Sequence, residues 1–300
     1  MPFYTLLIKY REIGLIAIIA LLIALVSLRN PLFLTGDKML FIVEDTAVLA
    51  VLATGMMCVL LVGSIDISIG GIMALSAMVT GIFMRNALSA AEVEVLVDGV
   101  RTVATVKQSI PLLWLILIGM GVGALCGVVN GSIIAYGKVL PIVTTLGMQY
   151  ILYGLTHIVS DAQAVYKKDM SEAFVNFTRS EFLGINAKTW IMLAVAVIMY
   201  AFVTYFRTGR HLYAVGSNAE AAEMRGVNTR RTTLLAHVIM GAVAGLAGLL
   251  FASHDTKITQ DLKSGYELYV IAACVIGGVS VTGGAGKIQG VVLGALTIGV

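Results

Sequence analysis

Runs of apolar residues long enough to cross a lipid bilayer recur along the whole of this chain. A membrane-spanning helix needs about 17–25 such residues, and only helices and closed barrels span lipid, because lipid satisfies no backbone hydrogen bonds. The chain is 59% hydrophobic and 12% charged, whereas soluble domains are about a quarter charged. We therefore expect an all-α polytopic membrane protein, with residues 1–300 forming one transmembrane domain of about nine to ten helices. The runs place helices at 12–28, 39–62, 67–84, 110–136, 139–159, 189–206, 232–252, 266–281 and 287–300.

The apolar runs at the two ends of the chain need separate interpretation. The first follows Lys9 and Arg11, as in a signal peptide, but no small-residue cleavage site comes after it. We interpret it as an uncleaved first helix. The last run, "GVVLGALTIGV", reaches Val300 without a polar flank, so we expect that this helix is incomplete and that a tenth helix follows it.

The distribution of arginine indicates which loops face the cytoplasm. Short loops rich in Lys and Arg stay on the cytoplasmic side of a membrane, and residues 207–231 form the densest such segment. With that loop inside, the alternation of helices puts 85–109, 160–188 and 253–265 outside. The arginines of the predicted cytoplasmic loop are Arg207, Arg210, Arg225, Arg230 and Arg231.

The predicted outer segment 85–109 contains "EVEVLVDGVRTVATV", in which alternating valines flank Asp98-Gly99. Asp-Gly between alternating apolar residues is the strongest short signal for a β-hairpin. Two strands alone are marginally stable in water. The hairpin is therefore either a surface feature without a role or a ribbon that packs on a neighbouring loop or a partner.

One carboxylate, Asp66, separates two apolar stretches in "VLLVGSIDISIGGIMAL". A charge at this depth in a membrane is costly and usually faces a protein interior or a watery cavity. Asp66 or Ser68 could cap a helix that begins at this break. Asp66 could also line the path of a solute, or lie at the cytoplasmic mouth of that path. Capping and lining are compatible, because broken helices in transporters often serve both purposes.

A faint internal repeat marks a second break near the end of the chain. "GSIDISIGG" at 63–71 matches "GGVSVTGGA" at 277–285 in its glycines and branched residues, with Ser280 in place of the aspartate. Transporters are often built from repeats whose glycine-interrupted segments mark the translocation pathway. The residues expected on the pathway or at its helix breaks are Asp66, Ser68, Gly70, Gly283 and Gly284.

The sequence excludes several classes of protein. Its net charge of +3 is too small and dispersed for nucleic acid, and its three cysteines lie in apolar runs without metal-ligand spacing. "VTGGAGKIQG" is not a phosphate-binding loop, because Val281 stands where the first glycine belongs and Ile288 follows the lysine. His157 and His237 stand alone in apolar runs, where packing contacts are the expectation. We expect no cofactor, no metal and no catalytic activity.

Within the predicted cytoplasmic loop, "SNAEAAEMRGV" predicts a short helix outside the membrane. Ser217-Asn218 is an N-cap pair, good helix formers follow it, and Gly226 suits the position after the last turn. A helix of this kind either docks into a cleft on a soluble partner or simply connects two spanning helices.

Four motifs in order give the chain a resemblance to a known family. "YAVGSNAEAAEMRGVNTRR…MGAVAGLAGLLFAS" resembles the coupling-helix region of the permease subunits of ribose-type ABC importers, in the binding-protein-dependent transport system inner membrane component family. "GSIDISIGG" looks like that family's Gly-Gly-Ile-Asp-Leu-Ser-Val-Gly signature, with Ser64 replacing the second glycine. "VNGSIIAYGKVLPIVTTLGMQYILYG" and "GYELYVIAACVIGGVSVTGGAGKIQGVVLGAL" resemble its central and C-terminal motifs. Members of this family carry monosaccharides or, in related members, rhamnose or autoinducer-2.

The resemblance implies a non-catalytic pore subunit of a bacterial inner membrane, surrounded by lipid and paired with a second copy or a paralogue. A cytoplasmic ATPase would drive it, and an external solute-binding protein would deliver a sugar or similar small polar solute. An ion-coupled secondary transporter using Asp66 is the alternative, which leaves the arginine-rich helical loop unexplained. The residues that would couple the pore to the ATPase are Asn218, Glu220, Ala221, Ala222, Arg225, Gly226 and Arg230.

Overall fold

The computed structural model describes residues 11–88, 91–97, 100–106 and 109–300. Helices dominate this part of the chain, joined by loops and two-stranded ribbons. In chain order the α-helices are α1 (Arg11–Arg29), α2 (Gly36–Leu61), α3 (Ile69–Leu88), α4 (Leu112–Ala135), α5 (Pro141–Val159), α6 (Glu172–Asn176), α7 (Ala187–Tyr205), α8 (Arg207–Ser217), α9 (Ala219–Met224), α10 (Thr229–Asp255), α11 (Tyr266–Ile276) and α12 (Ile288–Gly299).

Apolar helices occupy all nine runs that the sequence marks as candidates. Over the described residues, seven of them are long and apolar enough to cross a membrane, namely α1 to α5, α7 and α10. The other two, α11 and α12, have 11 and 12 residues, fewer than the about 17–25 that a span needs. α11 ends at Ile276 rather than near residue 281, because Gly277 and Gly278 form a turn there. The all-α polytopic class is confirmed, with two half-length helices among its members.

The predicted cytoplasmic loop contains two helices where the sequence predicts one. α9 is the expected short helix, and α8 precedes it as an additional one. Only Gly209, Leu212 and Val215 of α8 are buried, which gives a narrow apolar stripe on an otherwise polar helix. A search for long apolar runs does not detect such a helix.

α4 and α10 approach each other until their backbones touch. An added Cβ on Gly123 would overlap the carbonyl oxygen of Gly241, and an added Cβ on Gly241 would overlap that of Gly123. Gly245 repeats this contact against the backbone of Gly119, about one turn away. Small residues allow such close packing between membrane helices. The two helices therefore form one tightly packed pair.

α2 lies at the centre of the helical assembly. Its residues from Thr46 to Leu61 are all buried, and α7, α10, α11 and α12 pack around it. α1 lies at the edge, where it contacts α12 and where Lys287 Nζ is 2.6 Å from Glu12 Oε1.

The segment between α3 and α4 forms the hairpin that its alternating residues predict. Strands β1 (Ala91–Val97) and β2 (Val100–Val106) pair antiparallel, with Val97 opposite Val100. The Asp98-Gly99 turn lies outside the described residues. The location of this hairpin outside the membrane stays a prediction.

Two shorter ribbons join the remaining loops. β3 (Val165–Tyr166) pairs antiparallel with β6 (Lys257–Ile258), and β4 (Glu181–Phe182) pairs with β5 (Ile185–Asn186). β3 and β6 therefore connect the loop after α5 to the loop after α10, which are two of the segments predicted to lie outside.

Candidate functional site

The first helix break, residues 62–68 between α2 and α3, holds Asp66 inside the protein. The Asp66 side chain is fully buried. Its Oδ1 accepts hydrogen bonds from the backbone N of Ser68 at 2.9 Å and from the Ser68 hydroxyl at 2.6 Å. Asp66 thus closes a side-chain turn just before Ile69, the first residue of α3. The structure puts Asp66 beside a helix start, and its place on a solute path stays a prediction.

Asp66 also connects this break to two helices that are distant in the sequence. Its Oδ2 lies 3.2 Å from Nδ1 of His237 on α10, and Nε2 of His237 lies 3.0 Å from the Ser64 hydroxyl. Asn130 on α4 donates from Nδ2 to the Ser68 hydroxyl at 2.7 Å. All of these side chains are buried. Asn130 Oδ1 has no partner among the described residues, while the hydrogen bonds that the group does make favour a single arrangement. We call Ser64, Asp66, Ser68, Asn130 and His237 the buried network.

Three members of the buried network follow the order serine, histidine, aspartate that nucleophilic hydrolases use. Ser64 is only 3% exposed, however, and Asp66 and His237 have no exposed surface. A substrate could not reach the serine hydroxyl. The arrangement therefore holds α3, α4 and α10 together and performs no chemistry on a ligand.

The second helix break, residues 277–287 between α11 and α12, is built from glycines. Gly278, Gly283 and Gly284 have φ angles of 85°, 96° and 74°, in the left-handed region that favours glycine. The backbone N of Gly284 donates to the carbonyl oxygen of Leu61, the last residue of α2, at 3.0 Å. The two copies of the sequence repeat therefore lie in contact.

The last turn of α8 lies against both breaks. An added Cβ on Gly216 would overlap the carbonyl oxygen of Leu61 and lie 2.5 Å from the backbone N of Gly284. An added Cβ on Gly283 would lie 3.0 Å from Gly216 Cα and from Gly63 N. Backbones come this close only where side chains are absent. We call Gly63, Gly216, Gly283 and Gly284 the glycine junction.

α9 follows the glycine junction directly, and its ends are fixed by the predicted residues. The Asn218 side chain accepts a hydrogen bond from the backbone N of Ala221 at 2.9 Å. Gly226 has a φ angle of 82° just after the helix. Asn228 caps α10 in the same way, accepting from the backbone N of Arg231 at 2.9 Å. Since N-caps and left-handed C-terminal glycines define helix ends, α9 is a defined step between α8 and α10.

In α9 and the loop after it, one alanine side chain is buried and most of the larger side chains are exposed. Ala222 is 5% exposed, so its methyl group packs inside the chain and is not available to a partner. Met224 is 83% exposed, and Glu220, Arg225 and Arg230 are exposed around it. A partner would therefore meet Met224 and charged groups rather than the small alanine. Sequence reasoning missed Met224, although one large apolar residue in a polar loop is a usable signal.

A second polar group lies among the helices around Gly70, and the sequence prediction does not contain it. Glu267 on α11 is 7% exposed, and its Oε1 accepts a hydrogen bond from Gln149 Nε2 on α5 at 3.0 Å. Among the described residues, Glu267 Oε2 and the Tyr153 hydroxyl have no hydrogen-bond partner. An added Cβ on Gly70 would overlap the Tyr153 hydroxyl and lie 3.2 Å from Glu267 Oε2. We call Gln149, Tyr153 and Glu267 the Gly70 cluster.

One sequence signal could have identified the Gly70 cluster. Glu267 is the one acidic residue of the otherwise apolar stretch "GYELYVIAACVIGG". An ionisable residue inside a membrane segment indicates a functional site by default. The same rule was sufficient to single out Asp66.

The described residues offer no arrangement that could hold a metal ion. No group of three or more His, Cys, Asp or Glu side chains converges among them. Cys58, Cys126 and Cys274 are free and buried, as expected for small apolar residues of a core.

Comparison with known proteins gives matches over nearly the whole chain. Residues 38–300 match the family described as branched-chain amino acid transport system / permease component. The D-allose transport system permease protein of Escherichia coli (strain K12) is 32% identical over 287 residues, which cover 95% of this chain and 81% of that protein. The ribose import permease protein of Haemophilus influenzae is 32% identical over 281 residues, covering 93% of this chain and 80% of that protein.

The galactose/methyl galactoside import permease protein of Salmonella typhimurium is 29% identical over 291 residues, covering 95% of this chain and 84% of that protein. No solved structure matches the chain. The matched residues 38–300 include both helix breaks, the glycine junction and α9. The chain is therefore a member of the branched-chain amino acid transport system / permease component family.

Proposed function

We propose that this chain is the membrane-spanning permease subunit of an ABC importer, which moves a monosaccharide or similar small polar solute across the bacterial inner membrane. The similarity to permeases named for D-allose, ribose and galactose supports a sugar as the solute. The family's description names branched-chain amino acids, which makes these the solutes to compare with sugars in a transport assay.

The proposed partners are a cytoplasmic ATPase, an external solute-binding protein and a second permease copy or paralogue. α4 and α5 support the last, because they carry large apolar side chains on exposed faces. Faces of this kind are covered by lipid or by another membrane helix. The pore would lie between the two permease subunits.

The observation that carries the proposal is the position of Gly216 at the end of α8. This residue contacts the first break through Leu61 and the second break through Gly284, and α9 begins two residues beyond Ser217. A displacement of α9 by an ATPase therefore reaches both breaks through backbone contacts that cannot be compressed. Alternating access then follows from rocking of the helices that flank the breaks.

The buried network weakens the alternative of an ion-coupled secondary transporter. An ion-coupling carboxylate must exchange its ligands during transport, whereas Asp66 is fully buried and both of its oxygens have partners at 2.6–3.2 Å. Such a carboxylate serves as a structural connection between helices.

The contact of α9 with an ATPase is tested by Met224→Glu in the co-expressed importer. The exposed methionine would lie in the ATPase groove, and loss of a central apolar contact costs about 2 kcal/mol or more. We expect co-purification of the ATPase and solute uptake to fall together by about tenfold or more. Leu183→Glu is the matched control, because Leu183 is 78% exposed in the segment predicted to lie outside. Normal co-purification and uptake with Met224→Glu would reduce α9 to a connector.

A further inference from the structure

Glu267 differs from the other buried carboxylate of the helical region in having an unused acceptor. Asp66 has both carboxylate oxygens engaged, whereas Glu267 has one engaged oxygen and one without a partner among the described residues. A carboxylate in an apolar environment is costly unless hydrogen bonds surround it. A purely structural role leaves the free oxygen of Glu267 unexplained.

Three polar groups from two helices converge on the bare backbone of Gly70. The Gln149 Nε2, Tyr153 hydroxyl and Glu267 Oε2 atoms all lie within 3.5 Å of the point where a Cβ of residue 70 would be. Gly70 is the second residue of α3, so this point lies one turn from the first helix break. The three groups therefore pack directly against the backbone of α3, where a side chain at position 70 would have no room.

With the β3–β6 ribbon outside the membrane, as the sequence predicts, the Gly70 cluster lies deep in the membrane-spanning region. On α3, Gly81 contacts Ile258 and Val165 of the β3–β6 ribbon. Gly70 comes eleven residues earlier on the same helix, which places it roughly 16 Å from that ribbon along the helix axis. That distance is about half of the roughly 30 Å hydrocarbon core of a bilayer. Solute sites at broken transporter helices occupy this depth.

An accessible face lies directly beside the Gly70 cluster. Tyr150 follows Gln149 on α5 and is 70% exposed, and Leu268 and Tyr269 follow Glu267 on α11 and are more than half exposed. The buried residues of the cluster are therefore sequence neighbours of exposed residues on α5 and α11, and the proposed second permease subunit would face those exposed residues. Neighbouring residues of a helix point about 100° apart, so the polar groups reach a solute when α5 and α11 separate during transport rather than by a small rotation of either helix.

The chemistry of the three groups matches a hydroxyl-rich solute. A carboxylate accepts hydrogen bonds, an amide both donates and accepts, and a phenol donates or accepts. Sugar hydroxyls need that mixture, since each of them donates one hydrogen bond and accepts others. A bound Ca²⁺ ion would need about six to eight oxygen ligands, more than the three groups provide.

We propose that Gln149, Tyr153 and Glu267 form a transient binding site for the hydroxyl groups of the solute during its passage. This proposal rests on the sugar transport proposed above. Glu267 Oε2 accepts a hydrogen bond from a solute hydroxyl, and the Tyr153 hydroxyl and the Gln149 amide engage its neighbours. Gly70 allows the three groups to converge on the backbone of α3 because it has no side chain.

The test uses the complete importer, with its ATPase and solute-binding protein, in proteoliposomes. The probes are D-allose, D-ribose and D-galactose, with L-leucine as the non-sugar probe. Glu267→Gln keeps the side-chain volume and removes the charged acceptor. Because a hydrogen bond to a charged group is worth about one to two powers of ten, we expect uptake of the imported sugar to fall by about tenfold to hundredfold. ATP hydrolysis stimulated by the loaded binding protein should stay within about twofold of wild type.

Two further variants separate recognition from folding. Tyr153→Phe removes a hydroxyl that has no partner among the described residues, and we expect uptake to fall by about threefold to tenfold. Ser76→Ala is the matched control, because Ser76 is a buried hydroxyl of α3 that also lacks a partner in the described part of the chain and lies about two turns from Gly70. We expect this control to import the sugar at the wild-type rate.

Deoxy analogues of the imported sugar provide the readout that a structural role would not affect. One analogue will lack the hydroxyl that Glu267 binds. Its uptake, relative to that of the complete sugar, should fall strongly in wild type and much less in Glu267→Gln, because the variant has already lost that contact. The preference of the binding protein cancels, because it is common to both permeases. Equal losses for every analogue, or wild-type uptake by Glu267→Gln and Tyr153→Phe, would overturn the site. Import of L-leucine and of none of the three sugars by wild type would instead overturn the proposed function, and the site with it.

Discussion

The two helix breaks share a sequence pattern but are held in different ways. The break at 62–68 is fixed by hydrogen bonds between its own buried side chains and those of two helices, α4 and α10. The break at 277–287 has an exposed side-chain pair, Ser280 with Thr282 at 2.9 Å. It is also joined to α8, where the Tyr213 hydroxyl donates to the carbonyl oxygen of Gly286 at 3.0 Å. The ion pair of Lys287 with Glu12 joins it to α1. Its remaining contacts at the glycine junction are made by backbone atoms.

The difference follows from one position of the internal repeat. Asp66 of the first copy corresponds to Ser280 of the second, and a serine there reaches only its own loop. The first break is therefore tied to α4 and α10 and should move with them. Among the described residues the second break has no buried side-chain network of this kind, and its left-handed glycines have no side chains to resist bending. One anchored break beside one deformable break is a simple basis for alternating access.

The largest effect should come from removing the Asp66 carboxylate, which connects the first break to α10. Asp66→Ala leaves His237 Nδ1 and both donors of Ser68 without an acceptor in a buried site, and breaking such a pair costs about 3–5 kcal/mol. We expect a large loss of the free energy of unfolding in detergent and poor assembly of the importer. Asp66→Asn keeps an acceptor for Ser68 and should lose less stability. If Asp66→Asn assembles and hydrolyses ATP but imports nothing, Asp66 acts on the solute path and the anchoring role fails.

Gly216→Ala should have the next largest effect, because the added methyl group meets backbone from both breaks. Overpacking at a rigid site costs about 1–3 kcal/mol, and neither Leu61 O nor Gly284 N can rotate away. We expect uptake to be lost while the ATPase stays bound, measured by transport and co-purification. Gly121→Ala is the matched control in a helix, since nothing lies within 4 Å of its added Cβ. Equal uptake by both variants would show that the junction does not transmit movement.

Gly284→Ala should cost less, about 1–2 kcal/mol, mainly from its φ angle of 74°. Its added Cβ would also lie 2.5 Å from the Ser217 hydroxyl, which can rotate, and 2.9 Å from the Ser217 backbone N and Cα, which cannot. Gly63→Ala has a similar φ of 72° and a nearest neighbour at 3.4 Å, so it isolates the backbone strain. Thermal unfolding of the two purified variants should place Gly284→Ala below Gly63→Ala, and the reverse order would contradict the described contacts.

The smallest effect should come from Ser280→Ala. Ser280 is the repeat counterpart of Asp66, whose replacement should have the largest effect. The Ser280–Thr282 pair is exposed, and surface substitutions of this kind stay within about 0.5 kcal/mol. We expect wild-type stability and uptake, compared directly with Asp66→Ala in the same assays. A loss of several kcal/mol would mean that the second break is also anchored, and the contrast between the breaks would disappear.

The sequence was sufficient for the elements that depend on local pattern. Hydropathy marked the nine apolar helices, the alternation of valines marked β1 and β2, and Asn218 with Gly226 marked the ends of α9. These features follow from residues that are close together in the chain. The resemblance of four motifs then supplied the family.

The partners within the site could not be predicted in the same way. His237 lies 171 residues from Asp66, and Gln149 lies 118 residues from Glu267. Such pairings depend on how the helices pack, which a single sequence does not encode in local periodicity. α8 was missed for another reason, since its apolar stripe of Leu212 and Val215 is too short to stand out from a polar loop.

The glycine contacts between α4 and α10 have a consequence for the size of the movement. Two helices whose backbones touch at several turns cannot slide or twist independently, so the pair behaves as one stiff lever. α10 has 27 residues, which makes that lever about 40 Å long. One end of it begins just after α9, and by simple geometry a tilt of about 5° there would shift the other end by about 3.5 Å. A displacement smaller than the width of one side chain at the α9 end is thus enlarged at the opposite end of α10.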